Sequence, residues 1–385
     1  MRVVLLIRSL ETGGAERQLV TLAKALRLRG ETATVLTFYP GGALREELVE
    51  AGVSVEDLGK RGRWDAIAFL GRLWKRLRAL CPDALYTFST TSNILGLCAG
   101  RLAGVRRIVW SVRCSRRDMR LYDRLARAEV RLAALFSCFA DHVVFNSFAG
   151  LRDHVDAGYP EKKCSVIENG IDTRRFVSDP AGRERLRGEW GIAEDAFLVG
   201  YAARLDPVKD HRTFLRAAKV CVDSVAAGDF PARMRFLCVG GGGGRELRAL
   251  AAGMGLGEFV LWGGERQDMP SVYSALDIAV SSSSSEGFSN AIAEAMSCSV
   301  PCAVTDVGDS ARIVGDTGWV VSPGDAESLA RVWREAAALS KEDWRARGQM
   351  ARRRIETEYS VERMMEKTLD VLRGGGSERG AFSGG

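Results

Sequence analysis

Residues 278–305 read IAVSSSSSEGFSNAIAEAMSCSVPCAVT, and this stretch decides the fold. A short apolar run is followed by a loop of small residues, a helical stretch over 291–298 and a second apolar run. That order predicts a strand, a turn, a helix and a parallel strand. Free backbone N–H groups and the positive end of the helix would meet at the turn, which makes residues 281–290 a candidate phosphate site.

The same alternation of short aliphatic or β-branched runs with amphipathic stretches extends through the chain. Strands are predicted at 3–7, 34–38, 84–87, 107–110 and 142–146, and again at 197–201, 235–239, 259–262, 278–281 and 301–305. Strands that alternate with helices form parallel sheets covered by helices. A length of 385 residues exceeds what one hydrophobic core usually organises. The sequence therefore predicts an α/β protein of two Rossmann-like domains.

The boundary between these domains is predicted near residue 170. An Asn-Gly pair and a run of charged and turn-forming residues occupy 169–180, as expected of a linker. The first domain then covers 1–170 and the second 171–358. Apolar residues at helical spacing predict a closing helix within 359–373, and the glycine- and serine-rich residues 374–385 are predicted to form a disordered tail.

Composition predicts a cytoplasmic protein with a basic N-terminal half. Nine cysteines without a Cys-x-x-Cys pair, and only three histidines, favour neither disulfides nor structural zinc, and neither a signal peptide nor a membrane span is predicted. Residues 1–168 hold 27 Lys+Arg against 18 Asp+Glu, whereas the remainder holds 28 against 31. We expect the basic half either to meet an anionic partner, such as phospholipid, a diphosphate-linked acceptor or nucleic acid, or to be a solvated surface only.

A second candidate element is YAARLDPVK at 201–209. It places Arg204 at the carboxyl end of a strand and Lys209 in the next turn, where open α/β sheets bind ligands. A guanidinium and an ammonium group together can neutralise a departing diphosphate. Because no Asp-x-Asp occurs in the chain, a divalent ion held by carboxylates is disfavoured. The predicted site requires neither a metal nor a cofactor.

Two carboxylates and one glycine turn complete the candidate site. Glu286 lies in the loop and Glu294 two turns into the helix, so both can face one ligand, although each alone also fits a structural role. Gly13 and Gly14 follow the first strand and permit close approach of the backbone to a phosphate. Neither this turn nor the glycine run 240–244 has the G-x-G-x-x-G spacing, which disfavours a dehydrogenase.

Several motifs, taken in order, resemble the retaining glycosyltransferases of family 4, which have the GT-B fold. They are GGAERQLVTLAKALRLRG at 13–30, IENGIDTRRF at 167–176, ARLDPVKDHRTFLRAA at 203–218, the glycine run at 240, the segment from GGERQDMP at 263 to VVSPGD at 320–325, and YSVERM at 359–364. The resemblance implies two Rossmann-like domains facing across a cleft and a closing helix that crosses back to the N-terminal domain. It also implies transfer of a sugar from a nucleotide diphosphate-sugar with retention of anomeric configuration.

The resemblance also assigns roles to residues. It implies that Arg204 and Lys209 bind the donor diphosphate and that Gly13 and Gly14 also approach the phosphates. Glu294 would bind the ribose hydroxyls, and the backbone of Arg266 would contact the nucleobase. The transferred sugar would be bound by Glu286 together with the backbone of Phe288, Ser289 and Asn290. We expect Arg204, Lys209 and Glu286 to be catalytic.

Arg113 stands where many relatives have a histidine. Since a guanidinium cannot act as a base at neutral pH, Arg113 is expected to bind charge on the donor or an anionic acceptor, or to be a surface arginine.

The predicted activity leaves donor and acceptor partly open. UDP-sugars are favoured over GDP-sugars, and the acceptor is expected to be a glycan or a lipid-linked or polysaccharide precursor of the cell envelope rather than a nucleic acid. The alternatives are a nucleotide-sugar epimerase of the same fold, which needs no acceptor, and a non-catalytic nucleotide-sugar-binding protein.

Peripheral attachment to the cytoplasmic face of an anionic membrane is a further expectation. Residues 61–80 place apolar side chains at helical spacing among basic ones: Trp64, Ile67, Leu70, Leu73, Trp74 and Leu77 with Arg72, Lys75, Arg76 and Arg78. Residues 113–131 add seven arginines. This composition fits a helix lying in the membrane interface, and a core-packing helix with a solvated basic face fits it equally well.

Overall fold

The computed structural model describes residues 1–62, 65–113, 124–226 and 233–375. The chain divides into two compact units. Unit 1 consists of Met1–Gly170 and Val361–Gly385, and unit 2 of Ile171–Ser360. Each unit contains one parallel sheet with helices against it, which confirms the predicted fold class. The predicted tail falls, from residue 376 onward, outside the described residues.

Unit 1 begins with alternating strands and helices. Its strands are β1 Arg2–Ile7, β2 Thr32–Thr37, β3 Ser54–Asp57, β4 Ala84–Phe88, β5 Arg107–Val112, β6 His142–Phe145 and β7 Cys164–Val166. Its helices up to residue 170 are α1 Gly14–Leu28, α2 Arg45–Glu50, α3 Ala66–Leu80, α4 Thr90–Ala103, α5 Arg124–Ser137 and α6 Phe148–Val155. The strands pair in parallel in the order β3-β2-β1-β4-β5-β6-β7. The inner strands are apolar runs because helices cover both of their faces.

Unit 2 repeats this architecture. Its strands are β8 Phe197–Ala202, β9 Met234–Val239, β10 Val260–Gly264, β11 Ile278–Ser281, β12 Cys302–Thr305 and β13 Trp319–Val321. Its helices are α7 Pro180–Glu189, α8 His211–Ala226, α9 Arg245–Gly253, α10 Met269–Ala275, α11 Asn290–Ser297, α12 Ser310–Val314, α13 Ala326–Ala337 and α14 Lys341–Glu358. The order β10-β9-β8-β11-β12-β13 is that of a Rossmann sheet. The strand order reverses between β8 and β11, and this pair marks the switch point.

The last helix, α15 Val361–Arg373, belongs to unit 1. It buries five apolar side chains in the same core as α1, β1 and β4: Met364, Met365, Leu369, Val371 and Leu372. The Arg107 guanidinium donates to the carbonyl of Val371 at 3.0 Å. The closing helix was predicted within 359–373, but Tyr359 ends α14 and accepts a hydrogen bond from the Ile171 N–H at 2.8 Å, so α15 begins two residues later.

Helix α3 packs into the core of unit 1. Three side chains on one of its faces are fully buried: Phe69, Leu73 and Leu77. Two of its basic side chains have carboxylate partners, since Arg72 lies 2.5 Å from Asp65 and Arg76 2.5 Å from Glu56. These contacts favour the core-packing alternative for residues 66–80 over a helix in the membrane interface. Trp64 and residues 114–123 of the arginine-rich stretch lie outside the described residues.

Candidate active site

The predicted donor-site residues of unit 2 follow two neighbouring strands. Arg204 and Lys209 follow β8, and Glu286 follows β11, which pairs with β8 at Ile278 and Ala279. Loops after adjacent parallel strands lie at the same edge of the sheet. Because the strand order reverses here, this is the edge at which open α/β sheets bind ligands.

The glycine run after β9 holds the loop that carries Arg204. The N–H groups of Ala203 and Leu205 donate to the carbonyls of Val239 and Gly241 at 2.8 and 2.9 Å. A Cβ atom added at Gly240, whose φ is +152°, would lie 2.0 Å from the Ala203 carbonyl oxygen. The run therefore lets two loops pack backbone to backbone. This explains the glycine at position 240 without a phosphate contact.

Lys209 and Glu286 contact each other directly. The Lys209 ammonium nitrogen lies 2.6 Å from Oε1 of Glu286, whose side chain is 10% exposed. The resemblance implied that Lys209 binds the diphosphate of the donor and Glu286 its sugar. Without a ligand, the charge of each side chain neutralises that of the other. Arg204 differs, because its side chain is 77% exposed and lies 3.8 Å from Asp206. Its guanidinium can reorient toward a ligand at little cost.

The loop after β11 leads directly into α11. Asp309 donates its N–H to the Gly287 carbonyl at 3.0 Å, and a Cβ atom added at Gly308, whose φ is +58°, would lie 2.2 Å from the Glu286 carbonyl oxygen. Phe288 is buried and packs edge-on against the ring of Tyr359, with centroids 5.6 Å apart. Its side chain anchors the loop, which leaves only its backbone for ligand contact. Ser289 and Asn290 are the N-cap and the first residue of α11.

Glu294 lies in the second turn of α11 and accepts a hydrogen bond from the Tyr273 hydroxyl at 2.8 Å. Burial, reinforced by the Glu294 carboxylate, raises the pKa of Tyr273 well above its ordinary value, so the hydroxyl keeps its proton and donates. The bond fixes one carboxylate oxygen of Glu294. Sequence reasoning missed Tyr273, which has no motif of its own.

The side chain of Arg266 forms ion pairs with two neighbouring carboxylates. Its guanidinium lies 2.8 Å from Asp268 and 2.8 Å from Glu189, and 5.8 Å from the ring centroid of Trp190. Hydrogen bonds from this guanidinium hold the pKa of Asp268 below its ordinary range. These bonds leave the Arg266 backbone for any contact with a base, as the resemblance implies.

The remaining predicted site residues belong to unit 1. Gly13 is the extended N-cap of α1, and Gly14 is its first residue. Arg113 follows β5, donates from Nε to the Ser111 hydroxyl at 2.9 Å, also donates to the Asn169 amide oxygen, and lies 5.0 Å from the ring centroid of Phe88. Burial lowers the pKa of Arg113 from its ordinary value. Its recorded contacts within the described ranges are neutral groups rather than carboxylates, which is compatible with a role in binding an anion.

Among the residues that the structure describes, no group of three or more His, Cys, Asp or Glu side chains is arranged to hold a metal ion. None of the helices in those ranges combines the length and apolar character that crossing a bilayer requires.

The comparisons with known proteins agree with the fold and the motifs. The family model described as Glycosyltransferase Family 4 matches residues 12–175, and the model described as Glycosyl transferases group 1 matches residues 196–338. Two Rossmann-like units with these motifs define the GT-B class of glycosyltransferases. The chain belongs to glycosyltransferase family 4, as the sequence motifs predicted.

Curated relatives include the D-inositol 3-phosphate glycosyltransferase of Geodermatophilus obscurus, 29% identical over 63% of this chain and 55% of the relative. The UDP-Gal:alpha-D-GlcNAc-diphosphoundecaprenol alpha-1,3-galactosyltransferase of Escherichia coli is 28% identical over 67% of each chain. The 2-deoxystreptamine glucosyltransferase of Streptomyces kanamyceticus is 28% identical over 82% of this chain and 87% of the relative. The chain matches only about half the length of the first of these relatives.

Solved structures share the fold. Anabaena HepE in complex with UDP-glucose aligns with a TM-score of 0.84 at 23% identity, over 97% of this chain and 100% of that chain. A glycosyltransferase from Rickettsia africae aligns with a TM-score of 0.80 at 18% identity, over 97% and 98% of the two chains.

Proposed function

We propose that the protein is a retaining glycosyltransferase that moves a sugar from a nucleotide diphosphate-sugar, with UDP-sugars favoured over GDP-sugars, to a glycan or lipid-linked acceptor. The observation that carries the proposal is the 2.6 Å contact of Lys209 with Glu286 at the switch point of unit 2. One cation for the leaving group and one carboxylate for the sugar lie side by side there. The N-terminus of α11, which is the positive end of the helix dipole, follows in the same loop.

Transfer breaks the bond between the sugar and the diphosphate, and negative charge grows on the leaving group. Lys209 exchanges Glu286 for the diphosphate, and the exposed Arg204 turns toward it. Both cations then stabilise the developing charge without a divalent ion. Glu286, released from Lys209, accepts hydrogen bonds from the sugar hydroxyls, and Glu294 accepts them from the ribose.

Retention of configuration follows from a front-face route. No carboxylate in these motifs is an evident nucleophile, so the acceptor hydroxyl attacks from the side that the diphosphate leaves, and the diphosphate takes the hydroxyl proton. Catalysis is then mainly positioning and charge stabilisation.

The relatives' names support the donor and acceptor classes. The Escherichia coli relative is named for a UDP-sugar donor and a diphosphoundecaprenol acceptor, and HepE has been solved with UDP and with UDP-glucose. We extend these properties to the present chain as part of the proposal.

The test is an assay of UDP- and GDP-sugars with and without a panel of lipid-diphosphate and free glycan acceptors. We expect nucleotide release to accelerate with an acceptor, and proton NMR of the product to show the anomeric configuration of the donor. Inversion would contradict the mechanism. An epimerised nucleotide-sugar formed without any acceptor would instead support the epimerase alternative.

We further propose that unit 1 attaches to an anionic membrane surface, through a face that differs from the apolar face of α3. Three apolar side chains around the carboxyl ends of α4 and α5 are strongly exposed: Leu102 at 68%, Leu135 at 70% and Phe139 at 60%. Arg101 lies among them, donates to the Phe139 carbonyl at 2.7 Å and pairs with Asp141 at 2.9 Å. The support is therefore the exposed apolar side chains themselves, in a half of the chain with nine excess positive charges, a combination that fits an anionic interface.

Vesicle sedimentation at low salt tests this attachment. Leu135→Ser with Phe139→Ser should reduce recovery with anionic vesicles several-fold, because both the apolar contact and the local approach of cations are lost. Leu28→Ser is the matched control, since Leu28 is 88% exposed on α1 of the same unit. Equal recovery with neutral and anionic vesicles, or equal effects of the two kinds of variant, would rule out this face.

A further inference from the structure

Beneath the Lys209–Glu286 pair lies a second layer of hydroxyl groups. Tyr201, near the end of β8, is buried, and its hydroxyl donates to the backbone carbonyl of Lys209 at 2.6 Å. The same hydroxyl oxygen lies 2.9 Å from the hydroxyl of Ser283. One tyrosine therefore contacts both the loop that carries the cation and the loop that carries the carboxylate.

Ser283 completes a closed ring of contacts. Its hydroxyl is buried and donates to Oε1 of Glu286 at 2.7 Å, the same oxygen that Lys209 approaches at 2.6 Å. The ring runs from Tyr201 to Lys209, to Glu286, to Ser283 and back. When the diphosphate takes Lys209, the bond from Ser283 remains to hold the Glu286 carboxylate in place.

The surroundings make this layer rigid. The Thr305 hydroxyl, at the end of β12, donates to the Ser283 carbonyl at 2.7 Å. The His211 ring stacks on Tyr201 with centroids 4.6 Å apart. Asp210, directly after Lys209, has a φ of +44°, and its carbonyl accepts from the Ser282 hydroxyl at 3.0 Å. An L-residue in this left-handed region persists only where neighbouring contacts hold it.

We propose that Tyr201 and Ser283 are positioning residues, which set the Lys209 ammonium and the Glu286 carboxylate for sugar transfer without touching the substrate. The inference rests on the proposed function of this site. It predicts that the two hydroxyls matter for turnover more than for nucleotide binding. A charge stabiliser held slightly out of place loses much of its effect on the transition state.

The test compares Tyr201→Phe and Ser283→Ala with Ser297→Ala. Ser297 is equally buried in unit 2, and its hydroxyl donates to the Phe176 carbonyl at 2.7 Å, so it is a control for the loss of a buried serine hydrogen bond. We expect kcat to fall about tenfold in each positioning variant, the size of one lost hydrogen bond. KM for the donor and the Kd of UDP should stay within about threefold, and Ser297→Ala should leave kcat unchanged.

A double-mutant cycle separates positioning from general weakening of the fold. In a Glu286→Gln background, Ser283→Ala should lower kcat by less than about threefold, because its partner is already altered. An equal effect in both backgrounds, or a fall in kcat no larger than that of Ser297→Ala, would overturn the proposal.

A crystal structure of the Ser283→Ala variant with bound UDP gives a readout that does not depend on activity, because Lys209 then contacts the diphosphate instead of Glu286. We expect the Glu286 carboxylate to leave the position that it has in the UDP complex of the wild-type protein. A carboxylate that stays in that position would overturn the positioning role even if the protein transferred no sugar. Failure of the proposed function would instead appear as a wild-type protein that binds no nucleotide-sugar.

Discussion

Lys209 and Glu286, 77 residues apart in sequence, form an ion pair of 2.6 Å at the switch point of unit 2. The Glu286 side chain is 10% exposed, so water screens its charge poorly. The pair therefore links the stability of the unit to the residues proposed for catalysis.

Replacing Lys209 should affect both activity and stability. Lys209→Ala should lower turnover by about 10² to 10³, the range for loss of one preorganised charge stabiliser. It should also lower the free energy of unfolding by about 3 kcal/mol, because the Glu286 carboxylate loses its cation. Arg204→Ala should lower turnover similarly but leave stability unchanged, since Arg204 is exposed. Kinetics and urea unfolding measure both effects.

Lys219→Ala is the matched control for these measurements. Lys219 pairs with Asp223 at 2.5 Å on the surface of the same unit, where its loss should change neither quantity appreciably. A loss of turnover below threefold in both Lys209→Ala and Arg204→Ala would mean that the diphosphate binds elsewhere.

The two glutamates should separate nucleotide binding from turnover. Glu294→Gln should chiefly weaken UDP binding, because ribose hydroxyls are present equally in the ground and transition states. Glu286→Gln should reduce turnover more than UDP affinity, because its proposed partner is the transferred sugar. Titration calorimetry with UDP and steady-state kinetics test the assignment. The opposite pattern, weak UDP binding by Glu286→Gln and normal binding by Glu294→Gln, would exchange the two roles.

Donor binding and transfer should not require a divalent ion. Arg204 and Lys209 supply positive charge where a metal supplies it in other transferases. We expect the wild-type protein to keep its turnover after dialysis against a chelator. Activity that disappears in chelator and returns with magnesium or manganese would show that the two cations are insufficient.

His211 should make unit 2 sensitive to acid. Burial, reinforced by the nearby Lys209 cation, lowers the pKa of His211 from 6.5 to about 4. Between pH 6.5 and about 4, His211 is therefore protonated in the unfolded chain but not in the folded unit. Stability is fully present above pH 6.5 and is lost as pH falls toward 4, which amounts to roughly 2 kcal/mol at pH 5.

The variant His211→Phe should remove this dependence while keeping the stack on Tyr201. Neither ring nitrogen of His211 has a hydrogen-bond partner among the residues that the structure describes. Urea unfolding of unit 2 at pH 7.5 and pH 5 should show a smaller difference in the variant. His142 in unit 1, whose pKa burial also lowers to about 4, provides an unchanged reference. Identical pH dependence of unit 2 in both proteins would contradict the argument.

The sequence predicted ten strands, and the described part of the chain contains all of them and three more. The strands it missed are β3, β7 and β13, each of three or four residues and each at the edge of a sheet. Two of them, β3 (SVED) and β7 (CSV), contain polar residues, and β13 (WVV) is an apolar run of only three residues, so none shows the longer apolar run that identifies a buried strand. The doubly wound architecture was predictable because its inner strands are buried on both faces.

The candidate site was predictable in its motifs but not in its contacts. Spacing after two strands identified Lys209 and Glu286, but their ion pair depends on β8 lying next to β11. The serine run was interpreted as a source of free N–H groups. In the structure the serine hydroxyls also form hydrogen bonds that hold the site together. The Ser282 hydroxyl donates to the Asp210 carbonyl, more than 70 residues away, and the Ser283 hydroxyl donates to Glu286. Such partners follow from the strand order, which no local pattern specifies.

Helix α15 has a consequence for synthesis on the ribosome. Five of its side chains fill the core of unit 1, yet it is translated after all 190 residues of unit 2, Ile171–Ser360. Unit 2 is continuous in sequence and can close its own core as soon as it has emerged. At about 5–20 residues per second, unit 1 waits on the order of ten to forty seconds for its last helix. The part of the chain that is made first is therefore the last to become complete, and its exposed apolar groove is a natural target for chaperones during that interval.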